Sequence, residues 1–357
     1  MHFNSKFALD IFRLLKLTLP AAALLALTAH AQTYAVTDLG TLRHGSARVH
    51  AVNQLGQAVG GSGHPHGADT RAFFWQKQRG IMDLGTLPGG DYSAAFGIND
   101  AGQVVGTSNT AKGIHAFSWS SSGGLRDLGT LPNAQDSTAY AVNDKGEIAG
   151  ASGSHAVVWT AGAPRDLGTL GGAWSEARDL NNIGQVVGVA ESSTGPHAFF
   201  WSNGAMRDLG VLPGDMQSRA DHVSDQGMVV GASEGSGGVR AFAWTSERGM
   251  EPLGSLSGST YSEAFAVNRA GQVVGQSGSP LGTRAFLWTS TGGMIDLNEH
   301  VPGLPTSVVL TGAFAINDRG EIVAFGLRTS KTNRHQPATM DSHIHAGPTR
   351  VFLLTPQ

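Results

Sequence analysis

One pentapeptide constrains this chain more than any other feature. It reads HAFFW at 197–201 and recurs as RAFFW at 71, HAFSW at 115, HAVVW at 155, RAFAW at 240 and RAFLW at 284. The spacing is about 44 residues, within the range where self-similarity marks solenoids, propellers or arrays. A worn seventh copy, Arg350-Val351-Phe352-Leu353-Leu354, carries Leu where the others carry Trp.

Three further anchors travel with it. Asp38, Asp83, Asp127, Asp166 and Asp208 each precede Leu-Gly, with Pro252-Leu253-Gly254 and Asp296-Leu297-Asn298 as altered versions. A turn of the form Asn-x-x-Gly starts at Asn53, Asn99, Asn143, Asn181, Asn268 and Asn317, and Ser224 takes the Asn position in the remaining copy. Val-Val-Gly or a close variant follows each turn, as in Gln103-Val104-Val105-Gly106.

Each copy therefore reads as four short strands. The runs hold four to six residues rich in Val, Phe, Ile and Trp, bounded by Gly, Ser and Asn. The Asn-x-x-Gly link fits a tight hairpin whose Gly takes positive φ. The apolar runs do not alternate cleanly, so both faces of each sheet must be covered. Radial stacking covers them, each blade against the next, with the Trp filling the space between blades. A lone strand, Tyr34 to Leu39, precedes the first copy, and the last copy lacks its fourth. These observations predict an all-β, seven-bladed β-propeller of four-stranded antiparallel blades, its ring closed by the N-terminal strand pairing with the C-terminal blade.

Residues 1–31 stand apart. Lys6, Arg13 and Lys16 precede an apolar run from Leu17 to Leu27 and then Ala29-His30-Ala31, the three parts of a cleaved signal peptide. The apolar run is too short for a membrane-spanning helix, which needs roughly 20 residues. Residues 32–357 are expected to form the propeller, with blade-seven insertions at about 298–310 and 326–349. Export, extracellular or periplasmic, and a monomeric closed ring are the corresponding expectations. The chain has no cysteine, so it relies on burial rather than disulfides. Charged residues make up 14% and the net charge is −3, which leaves no electrostatic footprint for nucleic acid.

The motifs together, His-Ala-Phe with Trp, Asp-Leu-Gly-Thr-Leu with Pro-Gly-Gly, and Ile-Asn-Asp-x-Gly-Gln-Val-Val-Gly, resemble the bacterial extracellular HAF (His-Ala-Phe) repeat proteins. The resemblance covers the chain after residue 31. It implies an exported, repeat-built protein and brings no biochemical activity with it. Arg replaces the His at 71, 240, 284 and 350, which argues against a titrating role there.

Repetition also filters candidate sites. A catalytic residue acts once, so the His or Arg of each pentapeptide, the Asp of each Asp-Leu-Gly and the Asn of each turn read as architecture. The links between strands two and three, and between blades, vary most in length, and binding usually resides in such loops on a rigid scaffold. On that face Tyr92, Trp174, Glu176, Asp215 and Tyr261 are candidate ligand-binding residues, aromatic rings beside carboxylates that suit a glycan or peptide. Histidines gather in the loops of blades one and seven. His64, His66, Asp341, His343 and His345 are a candidate site for zinc or a similar divalent metal. No catalytic motif is recognisable. The residues favour an exported, non-catalytic propeller that binds an envelope or extracellular ligand through its variable-loop face. The alternative is a secreted or periplasmic enzyme, a lyase or hydrolase, metal-assisted or not, with a single pocket on that face. The turn reading predicts that Gly102→Val or Gly271→Val weakens a hairpin, lowering the thermal midpoint without abolishing a specific ligand interaction.

Overall fold

Seven four-stranded antiparallel sheets make up the described part of the protein. The structure is a computed structural model, and it describes residues 32–41, 46–63, 70–160, 162–328 and 350–357. The expected signal peptide, residues 1–31, lies outside them. Blade four is representative: Ser175–Leu180, Val186–Ser192, Gly195–Ser202 and Ala205–Asp208, hydrogen-bonded in sequence order. Blades one to six span 46–85, 93–127, 137–166, 175–208, 215–252 and 262–296. The first strand of each blade contacts the first strand of the next, and the first strand of blade seven contacts that of blade one. Those strands therefore line the axis of a closed ring.

Closure follows the expected route. Tyr34–Asp38 pairs antiparallel with Arg350–Pro356, from Tyr34 opposite Pro356 to Asp38 opposite Phe352, and completes blade seven. Seven apolar clusters lie between neighbouring blades. Phe199 and Trp201 of blade four, for example, pack on Ala149 and Val158 of blade three. The pentapeptide Trp is thus inter-blade packing. Trp159, 1% exposed, also donates its indole N–H to the Leu128 carbonyl of blade two at 3.0 Å. Among the described residues no helix is long and apolar enough to cross a membrane.

The repeated polar residues are structural. His115, His155 and His197 pair with Asp127, Asp166 and Asp208 at 2.6–2.8 Å, and Arg350 takes the His place against Asp38. Ser137 accepts the Ala116 N–H at 2.9 Å and donates to the Gly129 carbonyl at 2.8 Å, joining blade three to blade two. The seven turn glycines have φ between 69° and 80°, the left-handed region a Cβ disfavours.

Two ring-shaped features order the hub. Every first strand carries a β-bulge opposite its partner, so that His50, Phe96, Tyr140, Arg178, Asp221, Phe265 and Phe314 occupy equivalent bulged positions. The bulge brings the first-strand backbone close to the Gly of Val-Val-Gly. A Cβ on Gly188 would sit 1.9 Å from the Glu176 carbonyl oxygen, and one on Gly106 would sit 2.0 Å from that of Ala94. Blade seven, which has a second bulge between Leu310 and Gly312, carries Ala324 there instead.

The second feature is a circle of turn asparagines. Asn53 donates its side-chain amide to the Asn99 carbonyl, Asn99 to Asn143, Asn143 to Asn181 and Asn181 to Ser224, at 2.9–3.1 Å. Asn268 donates to Asn317, and Asn317 closes the circle on Asn53. The same side chain's oxygen accepts N–H groups of its own turn, as Asn53 does from Leu55 and Gln57. Asp would place a carboxylate oxygen against the neighbouring carbonyl, which explains Asn. The circle has one gap, where Ser224 faces Asn268, and there Arg269 donates to Asp225 at 2.5 Å instead. Two opposite changes test this hub. Asn143→Ala, which strands the buried Asn181 carbonyl, should cost about 1–3 kcal/mol. Ser224→Asn should supply the missing donor to Asn268 and stabilise by about 1 kcal/mol. Urea unfolding midpoints of the two variants against the native chain check both signs.

Candidate functional site

The axial strands enclose a cavity of about 350 Å³, at the small end of ligand-binding sites. It is lined by the bulged residues and by the Asn-x-x-Gly turns, so it opens among those turns. This is the face whose links hardly vary in length, opposite the variable-loop face favoured by the sequence.

The wall is of two kinds because seven equivalent positions hold unlike residues. Phe265, Phe314, His50, Phe96 and Tyr140 form an arc of rings across five blades. Phe265 stacks on Phe314 with centroids 4.6 Å apart, and His50 meets Phe96 edge-on at 5.0 Å. Phe96 continues to Tyr140 at 5.5 Å. Blades four and five break the arc with charge. Arg178 donates to Asp221 at 2.7 Å and has Glu176 at 3.1 Å, while Arg219 contacts Asp221 at 3.2 Å and Glu263 at 2.7 Å. Each bulge also brings its following residue to the lining, which adds Asp179 and His222. Asp179 lies 3.5 Å from His222 Nδ1 and accepts the Val223 N–H at 2.8 Å.

Hydrogen bonding is incomplete here and nearly complete elsewhere. Among the described residues, five buried side-chain N or O atoms lack a hydrogen bond, and three of them are Arg178 Nε, Asp221 Oδ2 and His222 Nδ1. Charges lie near them, but at poor angles. Concentrated unsatisfied groups of this kind call for an explanation, and a functional one fits a cavity wall.

Electrostatics sort the groups further. Burial pushes the Asp179 carboxyl up, opposed by nearby His222 and by the N–H groups of Val223 and Leu180. Burial, with Glu176 alongside, drives the Tyr140 phenol up to about 12, so it stays protonated. His50 lines the cavity and keeps solvent-exposed surface. The crowding of the axial space around it, with Arg48 adding repulsion, brings its pKa down to about 4.

The structure distributes the expected ligand-binding residues unevenly. Glu176 and Tyr261 stand at opposite ends of one chain of contacts, Glu176–Arg178–Asp221–Arg219–Glu263–Tyr261, the last link being a 2.9 Å hydrogen bond from the Tyr261 hydroxyl. None of the five expected residues lines the cavity. Asp215 is used up in an ion pair with Arg240 at 2.8 Å, and Tyr92 and Trp174 stand in separate loops. The expected metal residues His64, His66, Asp341, His343 and His345 lie outside the described residues. Among the described residues no group of three His, Asp or Glu side chains could hold a metal ion. Sequence reasoning missed Arg178, Asp179, Asp221 and His222. Their signal was available: "ARDLNN" and "ADHVSD" put charges where other copies read apolar residues.

No protein-family model and no curated protein matches the chain. Solved structures do share its fold. Virginiamycin B lyase from Staphylococcus aureus is 13% identical with a TM-score of 0.52, covering 91% of this chain and 99% of that one. A gluconolactonase from Xanthomonas campestris is 13% identical with a TM-score of 0.38, covering 72% and 83%. A puromycin-hydrolyzing peptidase from Mycobacterium tuberculosis is 14% identical with a TM-score of 0.48, covering 79% and 50%. At these identities the likeness is one of fold. The expectation of a non-catalytic module working through its variable-loop face is corrected on two counts. A propeller that matches over nearly the whole length carries the name of a lyase, and the cavity lined by Arg178, Asp179, Asp221 and His222 opens on the other face.

The His50 environment generates a pH prediction. Its folded pKa lies below the ordinary value of 6.5, so as pH falls the unfolded chain takes up a proton that the folded chain refuses until about pH 4. Stability from this residue is therefore present above pH 6.5 and lost between there and 4. His50→Phe, which places the residue of Phe96, Phe265 and Phe314 in blade one, should flatten that acid limb. Thermal midpoints from pH 7 to pH 4 should show the variant gaining on the native chain as pH falls.

Proposed function

We propose that this protein is an enzyme of the lyase or hydrolase type, whose single active site is the axial cavity on the turn face. The observation that carries this reading is the Asp179–His222 pair beside Arg178, built from positions that are apolar or glycine in the other blades. His222 is the general base. With Nδ1 buried against Asp179 and about a third of its side chain exposed, the ring offers the cavity its remaining edge. Asp179 orients the ring and favours the imidazolium that forms when the base takes a proton, from a substrate carbon or from a water. The 3.5 Å separation is one that a small ring rotation shortens on substrate binding. Arg178 and the protonated Tyr140 stand on the same wall and meet the negative charge that proton removal leaves. The basic start, apolar core and Ala-His-Ala of residues 1–31, with the resemblance to HAF repeat proteins, support export.

A substrate panel of aryl esters, lactones and β-eliminating uronides tests the reading. His222→Ala should lower kcat about 10²–10⁴-fold, the usual worth of a general base. Asp179→Asn, which can still accept from Val223, should lower kcat without loss of stability. Removing a carboxylate whose folded pKa is raised should also let that variant gain stability over the native chain as pH rises above about 4. Turnover that survives His222→Ala, or no turnover across the panel, would overturn the assignment.

A further inference from the structure

The two halves of the cavity wall also say what kind of molecule it takes; this step rests on the cavity being the active site. Along the arc from Phe265 to Tyr140, aromatic rings line an axial space, half-buried rather than withdrawn into the inter-blade cores. Rings kept accessible inside a concave site favour an apolar or flat ligand body, and their faces attract cations.

Charge points the same way. The lining holds six carboxylates, those of Asp100, Asp144, Asp179, Asp221, Asp225 and Asp318, against two guanidiniums, Arg178 and Arg269. Both guanidiniums are already engaged, Arg178 with Asp221 and Glu176, Arg269 with Asp225. At the mouth, Asp100 and Asp144 have no ion-pair partner among the described residues. Asp100 feels Asp144 and Asp318 across the opening in addition to its own burial, and its pKa is raised.

Oδ1 of Asp100, Asp144 and Asp318 accepts the backbone N–H of Gln54, Asp100 and Arg269 at 2.7–2.9 Å. Among the described residues no three acidic or histidine groups converge. Deeper in, Asp221 lies between Arg178 at 2.7 Å and Arg219 at 3.2 Å, so its charge is already balanced. An acidic mouth and an aromatic arc together suit a cation with an apolar body.

We infer that the substrate is a small organic cation, a protonated amine carried on an aromatic or cyclic apolar body. The body lies along the Phe265–Phe314–Phe96 arc, and the ammonium group faces the mouth carboxylates Asp100 and Asp144. The mouth carboxylates raise the local concentration of such a cation and disfavour anionic analogues.

Calorimetric titration with three probes of one shape tests this: phenethylamine, 2-phenylethanol and phenylacetate. At low ionic strength phenethylamine should bind about tenfold or more tightly than the alcohol, and phenylacetate should not bind; added salt should shrink the difference. The triple variant D100N/D144N/D318N keeps every backbone acceptor, as Asn182 already does for Asp144 at 2.8 Å, while removing three charges. It should lose most of the amine preference and leave alcohol binding unchanged. Equal binding of amine and acid, an unaltered amine preference in the triple variant, or no binding of any probe would overturn the cation assignment. His222→Ala should still bind phenethylamine. Amine binding with turnover indifferent to His222 would sink the catalytic reading alone; His222-dependent turnover without amine binding would sink the substrate class alone.

Discussion

The asparagine circle at the hub is the interaction on which the rest depends. A propeller blade is a small sheet with little core of its own, and seven of them hold together through apolar contacts that are non-directional. The Asn side chain adds direction. Its oxygen fixes the local hairpin while its amide reaches the next blade's carbonyl, so turn geometry and blade angle are set by one residue. Six such links, and an ion pair at the seventh position, run round the ring. Strand pairing between residues 34–38 and 350–356 then prevents the ring from opening at its rim.

That rigid hub lets the inner strands carry a bulge in every blade. A bulge costs ladder hydrogen bonds and turns two consecutive residues toward one side. In five blades the space is used for a ring, and the small residue that follows adds little: Ala51, Gly97, Ala141, Ala266, Ala315. In blades four and five both positions hold ionisable side chains, Arg178-Asp179 and Asp221-His222. The same backbone irregularity that is architectural seven times over becomes a pair of adjacent functional groups twice.

This explains what was legible in the chain and what was not. Strand content, blade number and circular closure follow from motifs that recur in order, because packing and turn chemistry repeat with them. The cavity wall went unread because length variation in loops is conspicuous, whereas Arg178-Asp179 and Asp221-His222 sit inside strands. Period-two reasoning assigns one of each pair to the inter-blade core and thus discounts it; only the bulge puts both on the cavity. Glu176, expected in a variable-face loop, lies in the first strand of blade four, has a counterpart in Glu263 of blade six, and pairs with Arg178. His222 differs from the pentapeptide histidines in the same way. Those three have carboxylates at hydrogen-bond distance, while His222 keeps a looser contact and an accessible edge.

The departures from symmetry are grouped rather than scattered. Blades four and five supply the charged arc, and the asparagine circle breaks immediately beyond, where Ser224 replaces Asn and Arg269 replaces the usual acceptor. Burying Arg178, Asp221 and His222 with unsatisfied atoms opposes folding, since each group has given up water without full replacement. Stability elsewhere must offset it, and the repeated elements are where that surplus resides: complete apolar clusters between blades and doubly used asparagines. A selection acting only on folding would have returned blades four and five to the Phe or Tyr of their neighbours and Ser224 to Asn. Three departures persist side by side on the one wall where His222, Asp179 and Arg178 meet, and the proposed catalytic role accounts for all three.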